Sequence, residues 1–400
     1  MLNFIALLLS AWMLPQALEY SVQGTVCDDR SGKPVAAATV TIPGQGHSTV
    51  TNEDGVFVIK SDAPISTLSF SCIGYRNTSL RAENGMKVRL IPAIYPLKEA
   101  SIISGDPREI VLSAIEEIPS NYVDKAELLQ CFYRETIRKR QRYISVNEAV
   151  SKMYKTGYKW RTSSADRTAI EKSRVIMSQR PQDTLSVLMV GGPYYALELD
   201  AVKNPDVIFN PTDLPMYEFK MESPAYIGDR LHFVISFKPV MVADYPLFFG
   251  RLYIDRESLA FSRMELSLDM SNPDKARRVM LLRKPAGLRF TPKEQSIVIN
   301  YRSSDGGPMR LDYFRTTTAF SCDWKKRLLA TNYTVVNELV VTGRKEPAEQ
   351  IPRSEMFHSS DILQKEAKFF LDPDFWKDYN IIEASESLEH AAGRLLKRAE

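Results

Sequence analysis

The sequence predicts a mainly β protein with a small N-terminal β-sandwich, a larger antiparallel curved sheet or half-barrel, and flanking helices. Short segments with alternating apolar and polar residues fill positions 21–91, and longer ones fill most of positions 171–342. Helical periodicity is concentrated near positions 106–118 and after position 345. A period of two is typical of strands with one buried face, and a period near 3.6 is typical of helices.

The first β region has strands and turns at regular intervals. Val22, Gly24 and Val26 alternate with Gln23 and Thr25. The same alternation recurs at residues 38–42, 68–72 and 86–90, with Gly, Pro, Asn and Asp between these segments. Short strands at such spacing indicate a small sandwich.

Five segments of this region stand in a recognisable order and spacing: Gly24-Thr25-Val26, Gly32-Lys33-Pro34-Val35, Ala38-Thr39-Val40, Thr51-Asn52-Glu53-Asp54-Gly55-Val56-Phe57 and Phe70-Ser71-Cys72-Ile73-Gly74-Tyr75. Together they resemble a known family, the carboxypeptidase-regulatory-like domains. The resemblance implies a transthyretin-like β-sandwich of about seven strands. It is specific for fold and implies no particular activity.

A helix is predicted after the sandwich. Asp106 is a suitable N-cap, Pro107 suits the first helical position, and Glu109 has capping-box spacing. The apolar stripe predicts packing against the following domain; its members are Ile110, Val111, Ala114, Ile115 and Ile118. Residues 119–121 are predicted to end this helix.

Residues 128–154 can be read at either period, but their aromatic and β-branched content favours strands. The segments 132–135, 143–150 and 154–155 resemble the second domain that follows the regulatory-like sandwich in a group of Gram-negative envelope proteins. We therefore expect a hairpin with its turn near Arg140-Gln141-Arg142.

Consecutive alternating segments joined by short turns predict an antiparallel meander from position 171 to 342. Residues 250–255 and 260–265 resemble the strand-turn-strand of periplasmic lipoprotein-carrier-like half-barrels. Residues 181–224 are interrupted by prolines and glycines, which predicts a long loop with short helices or strands lying over the sheet. Such a loop either covers an open end of the sheet or has a functional role.

The C-terminal part is predicted to contain two helices. Their apolar positions are Ile362, Leu363, Ala367 and Phe370 in the first, and Leu388, Ala391, Ala392, Leu395 and Leu396 in the second. The stretch Phe375-Trp376 with Tyr379-Asn380 again resembles the ends of the same envelope group. These aromatics are expected to anchor the tail to the sheet.

The predicted domains are a signal peptide at 1–17, the sandwich at 18–92, a linker and helix at 93–122, the antiparallel β domain at 123–345, and a helical segment at 346–400. The signal prediction rests on an apolar run at residues 4–14 that is too short to span a membrane comfortably. It implies a periplasmic or outer-membrane-associated protein.

Composition excludes one class of partner. The chain has 400 residues, 44% of them hydrophobic, and a net charge of +3 from 52 basic and 49 acidic residues. This balance gives no electrostatic case for binding nucleic acid.

No catalytic, cofactor or metal motif is found. His47, His232, His358 and His390 lack zinc-ligand spacing, and neither a nucleophile elbow nor a phosphate loop occurs. Residues 52–55 have some features of a calcium loop, but a hairpin turn explains them. Cys27 and Cys72 can pair in an oxidising compartment if their positions allow it; separate thiols are favoured.

One charged group gives a site hypothesis. If the 132–150 hairpin forms, Arg134, Glu135 and Glu148 lie on neighbouring strands. A cross-strand ion pair is the favoured interpretation. Two close carboxylates in a cavity, Glu135 with Glu148, would instead suit acid–base chemistry.

The sequence as a whole predicts a non-enzymatic binding or scaffold protein of the cell envelope. Its partner would be an outer-membrane or periplasmic protein, or a lipid-like ligand held in the half-barrel. The alternatives are an accessory of an outer-membrane transporter that docks in trans, and a hydrolase with an unrecognised site, in which acidic residues and a histidine would converge in one pocket.

Overall fold

The computed structural model describes residues 20–93, 105–303, 306–324, 330–345, 348–358, 361–363 and 375–396. The predicted signal peptide at 1–17 lies outside the described residues. So do most of the first predicted C-terminal helix and residues 304–305.

The N-terminal domain is a seven-stranded sandwich, as the sequence predicts. Its strands are β1 (Tyr20–Asp28), β2 (Thr39–Thr41), β3 (Ser48–Val50), β4 (Val56–Ser61), β5 (Thr67–Ser71), β6 (Thr78–Arg81) and β7 (Met86–Leu90). They form two sheets, ordered β4-β1-β7 and β3-β2-β5-β6. The alternating apolar positions, including Val26, Val40, Phe57 and Phe70, are buried between the sheets.

The predicted helix follows as α1 (Pro107–Glu116), with the Asp106 side chain accepting a hydrogen bond from the Arg108 N–H. Val111 and Ala114 are buried in the core of the second domain. The prediction that residues 119–121 end the helix is wrong. After a break at Glu117 a second short helix, α2 (Ile118–Asn121), forms, because proline is tolerated in the first turn of a helix.

The second domain is built on an 11-stranded, predominantly antiparallel curved sheet with the order β10-β9-β8-β20-β19-β18-β16-β15-β14-β12, and with β13 paired to β14. These strands are β8 (Glu127–Lys139), β9 (Arg142–Lys155), β10 (Arg167–Met177), β12 (Tyr217–Met221), β13 (Ala225–Ile227), β14 (Arg230–Pro239), β15 (Phe248–Asp255), β16 (Phe261–Leu268), β18 (Leu288–Ser303), β19 (Met309–Trp324) and β20 (Thr331–Lys345). The predicted hairpin is therefore confirmed as β8–β9. A small pair, β11 (Leu188–Met189) with β17 (Leu281–Arg283), lies outside this sheet.

Residues 181–216, here called the cover, pack on one face of this sheet. The cover contains the short helix α3 (Tyr195–Glu198), as well as β11. Ala196, Leu197, Val202 and Phe209 of the cover are buried with sheet residues in one core. The predicted loop over the sheet is confirmed for residues 181–216, whereas residues 217–221 of the predicted range form strand β12 of the sheet itself. The cover occupies much of the space in which the sequence predicts a lipid-like ligand.

A buried charge network joins the cover to the sheet. Asp200 Oδ2 lies 2.7 Å from Lys155 Nζ of β9, and Asp200 also accepts hydrogen bonds from Tyr158 at 2.9 Å and Tyr301 at 2.6 Å. Lys203 Nζ lies 2.7 Å from a carboxylate oxygen of Asp166. Burial alone would raise the pKa of Asp200, but Lys155 and the two tyrosine hydroxyls hold it below its usual value. The ion pairs offset part of the cost of burying these charges, while Lys155 Nζ and Asp166 Oδ2 have no further hydrogen-bond partner among the described residues.

The opposite face of the sheet packs against the sandwich and the C-terminal tail. Phe132 on β8 is buried with Val50 of the sandwich and with Trp376 of the tail. The Trp376 ring meets the Phe132 ring edge-on at 5.7 Å between centroids, so the aromatic anchor predicted for the tail is confirmed. Both sheet faces are thus covered along β8, which explains why its residues are buried almost without alternation.

Two further helices complete the described fold. They are α4 (Pro273–Met280), which the sequence analysis missed, and α5 (Glu386–Leu396), which matches the second predicted C-terminal helix. Among the helices that the structure describes, none combines the length and apolar character needed to cross a membrane.

Replacing Asp200 tests the buried network. In Asp200→Asn, Lys155 keeps its charge but loses its closest carboxylate, so we expect the free energy of unfolding to fall by about 3–5 kcal/mol. Urea denaturation at neutral pH measures this change. Glu257→Gln is the control, because the Glu257 side chain is 88% exposed and its ion pair is expected to contribute less than about 1 kcal/mol. Equal stability of Asp200→Asn and wild type would contradict a central role for the network.

Candidate functional site

Arg134 and Glu148 form the ion pair that the sequence predicts. They lie opposite each other on β8 and β9, with Nε and Nη2 of Arg134 each 2.7 Å from Oε1 of Glu148. Arg174 Nε donates to Oε2 at 2.6 Å and Trp376 Nε1 donates to it at 3.2 Å. Burial alone would raise the pKa of Glu148, but Arg134 and Arg174 hold it below its usual value. This carboxylate is fully used in holding the tail on the sheet.

Glu135 lies on the other face of the sheet. It is opposite Asn147, whose Nδ2 donates to its carboxylate at 2.6 Å, and burial raises its pKa. Adjacent residues of a strand point to opposite faces, so Glu135 and Glu148 are separated by the sheet itself. The hypothesis of an acid–base carboxylate pair is therefore wrong.

The other sequence candidates have structural roles. Asn52 Oδ1 accepts backbone N–H groups of Asp54 and Val56 at 2.9 Å each, and Gly55 has a φ of +72°, so residues 52–55 form the hairpin turn. Cys27 and Cys72 are free thiols. In the described part of the chain, no group of three or more His, Cys, Asp or Glu side chains is arranged to hold a metal ion.

The structure contains a cleft of about 390 Å³ between the two domains, lined by both polar and apolar side chains. The sandwich contributes residues of β2, β5 and β6 and their loops, and the second domain contributes residues of β13–β16 and β18–β20. A backbone hydrogen bond joins the two domains near the cleft: the Gly74 N–H donates to the Tyr226 carbonyl oxygen at 3.0 Å. A side chain at Gly228 would collide with Asn77, since an added Cβ would lie 2.3 Å from its amide nitrogen. The domains meet closely at this point.

A histidine and a carboxylate do converge in this cleft. His232 Nδ1 lies 2.9 Å from the Arg230 carbonyl oxygen, which can only accept, so Nδ1 carries the proton and Nε2 accepts from Ser262 Oγ at 2.8 Å. Burial lowers the pKa of His232. Asp255 lies 3.9 Å from Nε2 and is bound to Arg230 and Ser258.

This arrangement differs from a serine–histidine–aspartate relay, in which the carboxylate orients Nδ1. In this protein the Arg230 carbonyl oxygen, and no carboxylate, is bound to Nδ1 of His232. The His232 ring is also only 2% exposed, so the ring itself offers little contact to a substrate. We interpret Ser262–His232 as a buried polar link between β14 and β16.

A second cavity of about 410 Å³ lies between the cover and the sheet. Its walls are mainly apolar and aromatic, and they include Val190, Tyr195, Leu199, Val207, Tyr245, Leu247, Phe248, Leu268 and Val279. Val279 of α4 and Tyr245 are 42% and 47% exposed and lie at its mouth. Both the size and the apolar lining are typical of small-molecule sites.

One buried polar group in this cavity is not fully satisfied. Gln295 on β18 is 4% exposed, and its Nε2 donates to Tyr195 Oη at 2.7 Å. Its Oε1 has no hydrogen-bond partner among the described residues. An unsatisfied buried acceptor costs about 1–3 kcal/mol, and a ligand donor would remove that cost.

Carboxylates are the charged groups of the cavity lining. Glu198, Asp206 and Asp213 contribute to it, and no lysine or arginine does so among the lining residues that the structure describes. Burial raises the pKa of Glu198. The potential at the cavity therefore favours a neutral or cationic end group over an anionic one.

Sequence analysis did not identify the residues that form these two cavities. Gln295 and Ser262 each occupy one position in a long alternating segment, and no local pattern distinguishes them. The helix that carries Val279 had a detectable signal: Asn272 caps it and Pro273 occupies its first turn.

Comparison with known proteins identifies the first domain. Residues 22–98 match the model of the CarboxypepD_reg-like domain. The predicted resemblance of the sandwich is thus confirmed, over a range that begins and ends a few residues later than the predicted domain. No curated protein sequence matches the chain significantly.

Two solved structures are similar to the chain over a longer range. One is a DUF1329 family protein from Desulfovibrio piger, with 9% identity, a TM-score of 0.27, and coverage of 59% of this chain and 94% of that one. The other is a LolA superfamily protein from Nitrosomonas europaea, with 9% identity, a TM-score of 0.27, and coverage of 62% and 97%. At a TM-score of 0.27, neither likeness carries an argument about this chain.

The two glutamates of the hairpin give a matched test. At neutral pH, Glu148→Gln leaves two arginines without their carboxylate, and we expect a loss of about 3 kcal/mol in the free energy of unfolding. Glu135→Gln removes a charge that burial disfavours, so we expect a change of less than about 1 kcal/mol. Chemical denaturation of both variants checks this difference.

The same pair has a pH signature. The pKa of Glu148 is lowered in the folded state, so its contribution is present above the unfolded value of about 4.5 and disappears as pH falls through the folded value. The stability gap between wild type and Glu148→Gln should therefore narrow in acid. A gap independent of pH down to the acid transition would contradict this assignment.

Proposed function

We propose that this chain is a non-enzymatic binding protein of the cell envelope that holds a small apolar ligand between its cover and its curved sheet. The observation that carries the proposal is the cavity of about 410 Å³ with apolar walls and the unpartnered Oε1 of Gln295. Specific small-molecule sites combine apolar walls with a few placed polar groups.

The shape of the site limits the ligand. The cover fills most of one sheet face with its own side chains, so the remaining space accepts part of a lipid or a small amphiphile rather than several acyl chains. Gln295 favours a ligand with a hydroxyl, amide or amine donor. The carboxylates Glu198, Asp206 and Asp213 favour a neutral or amine-bearing molecule over a fatty-acid anion.

Support for the envelope comes from the sequence and from the first domain. The residues 1–17 have the features of a secretion signal, and carboxypeptidase-regulatory-like domains are typical of the periplasm or cell envelope. Fractionation of cells that produce the full chain tests this location. Recovery of the folded protein only from the cytoplasm would contradict it.

Binding is tested directly with purified full-length protein. Dodecylamine should displace the neutral fluorophore N-phenyl-1-naphthylamine from the protein, and dodecanoate should displace it at least ten-fold less effectively, because the described lining of the cavity carries carboxylates and no lysine or arginine. Organic extraction and mass spectrometry of the protein as purified provide a second readout.

Val279→Trp is the matched blocking variant. It places a large ring at the cavity mouth, and we expect the fluorophore affinity to fall at least ten-fold without a change in melting temperature. Val242→Trp is the control, because Val242 is 89% exposed and does not line the cavity. Equal binding by wild type and Val279→Trp, or no fluorophore binding by wild type, would refute the proposed ligand site.

A further inference from the structure

The interdomain cleft has a lining unlike that of the cover cavity. Its charged and ionisable lining residues are Arg230, Arg302, Arg344, His47, His232, Tyr301 and Asp255. The cleft therefore carries an excess of positive charge even when both histidines are neutral. The two cavities share no lining residue.

Two of the three cleft arginines already have carboxylate partners. Arg230 donates to Asp255 at 2.7 Å, and Arg302 Nη2 lies 2.9 Å from Asp312, which is 1% exposed. These ion pairs fix both guanidinium groups in place at the cleft wall. The third, Arg344, is influenced by Asp312 and Glu127 without forming an ion pair with either, and it is the cation left to recognise a new anion.

Arg344 is the penultimate residue of strand β20 and has no ion pair with any carboxylate that the structure describes. Its Nε is buried without a hydrogen-bond partner, and its Nη2 makes one long contact of 3.5 Å with the Leu311 carbonyl. A guanidinium presents five donors in a planar fork that matches carboxylate and phosphate oxygens. Removing such a group from water without an anion is costly, so the site gains from binding one.

The rest of the cleft carries hydroxyl groups. Serine side chains from both domains line it: Ser69, Ser71, Ser79, Ser258, Ser262 and Ser303. Thr41 and Asn77 add a further hydroxyl and an amide. The hydroxyls of Ser258, Ser262 and Ser303 already donate within the protein, and those of Ser69 and Ser79 bond each other, so what they offer a ligand hydroxyl is mainly acceptor oxygens.

We propose that the interdomain cleft binds a small anionic, hydroxyl-rich molecule, with its carboxylate or phosphate on Arg344 and its hydroxyls among the serines. The ligand contacts both domains, so it binds the docked arrangement of the sandwich and the curved sheet. This site is independent of the apolar ligand of the cover cavity, and the failure of either proposal leaves the other intact.

Titration calorimetry of the full-length protein tests this site with three probes of similar size. Glucuronate and glucose 6-phosphate should bind, and glucose should bind at least ten-fold more weakly because it lacks the anion. Tighter binding of glucuronate indicates that the ligand is an acidic saccharide, and tighter binding of glucose 6-phosphate indicates that it is a phosphate ester. Affinity for either acid should fall as salt is raised.

Arg344→Gln should reduce the affinity for both acids about ten- to hundred-fold, the usual effect of losing a charge-assisted bond. Arg251→Gln is the matched control, since Arg251 is 59% exposed and outside the cleft. If Arg344→Gln lowers the melting temperature, Ser79→Trp serves instead, because Ser79 is exposed and its replacement fills the cleft. Undetectable binding of both acids at millimolar concentration, equal binding of glucose, or unchanged affinity in Ser79→Trp would overturn the proposal.

Discussion

The pairing of Asp200 with Lys155 is the interaction on which the second domain depends. A sheet with an apolar face must bury that face, and here the chain covers it with its own residues 181–216. Apolar packing alone would let such an irregular segment settle in many arrangements. Two buried carboxylates and two buried amines come within ion-pair distance of each other in this arrangement, and separating them would leave uncompensated buried charges.

This constraint also shapes the proposed ligand site. The cover follows the sheet closely where Tyr158 and Tyr301 bind Asp200, and it leaves space near Gln295, farther along β18. The cavity is therefore a consequence of where the cover is held. A carrier with an open sheet would accept many apolar molecules, whereas a partly filled one selects by size and by its few polar groups.

Local patterns were sufficient for much of the fold. Alternation located the strands of both domains, and the Asp106–Pro107 cap located the first helix. The site could not be found this way, because its residues meet across long stretches of chain: Ser69 and Arg344 line the same cleft, and Tyr195 binds Gln295. Such pairs depend on strand order and on how two domains dock, which no local periodicity encodes.

The charged hairpin shows the same limit at a finer scale. The sequence placed Arg134, Glu135 and Glu148 on paired strands, and that was correct. Which carboxylate faces the arginine depends on register, and a shift of one residue moves a side chain to the other face of the sheet. The tail packs on only one of the two faces, the one that carries Glu148, and Trp376 Nε1 donates a hydrogen bond to that carboxylate.

The position of the tail has a consequence for how the protein is made. Asn380 exchanges two hydrogen bonds with the backbone of Lys60, at 2.7 and 2.9 Å, and Thr49 donates to the Ile381 carbonyl at 2.8 Å. Segments more than 300 positions apart in the chain therefore complete the interdomain contact. The sandwich is synthesised before the second domain, but it acquires its final neighbours only after the tail has emerged. Until then its tail-binding surface is open, and a chain shortened by its last 25 residues would leave that surface open permanently.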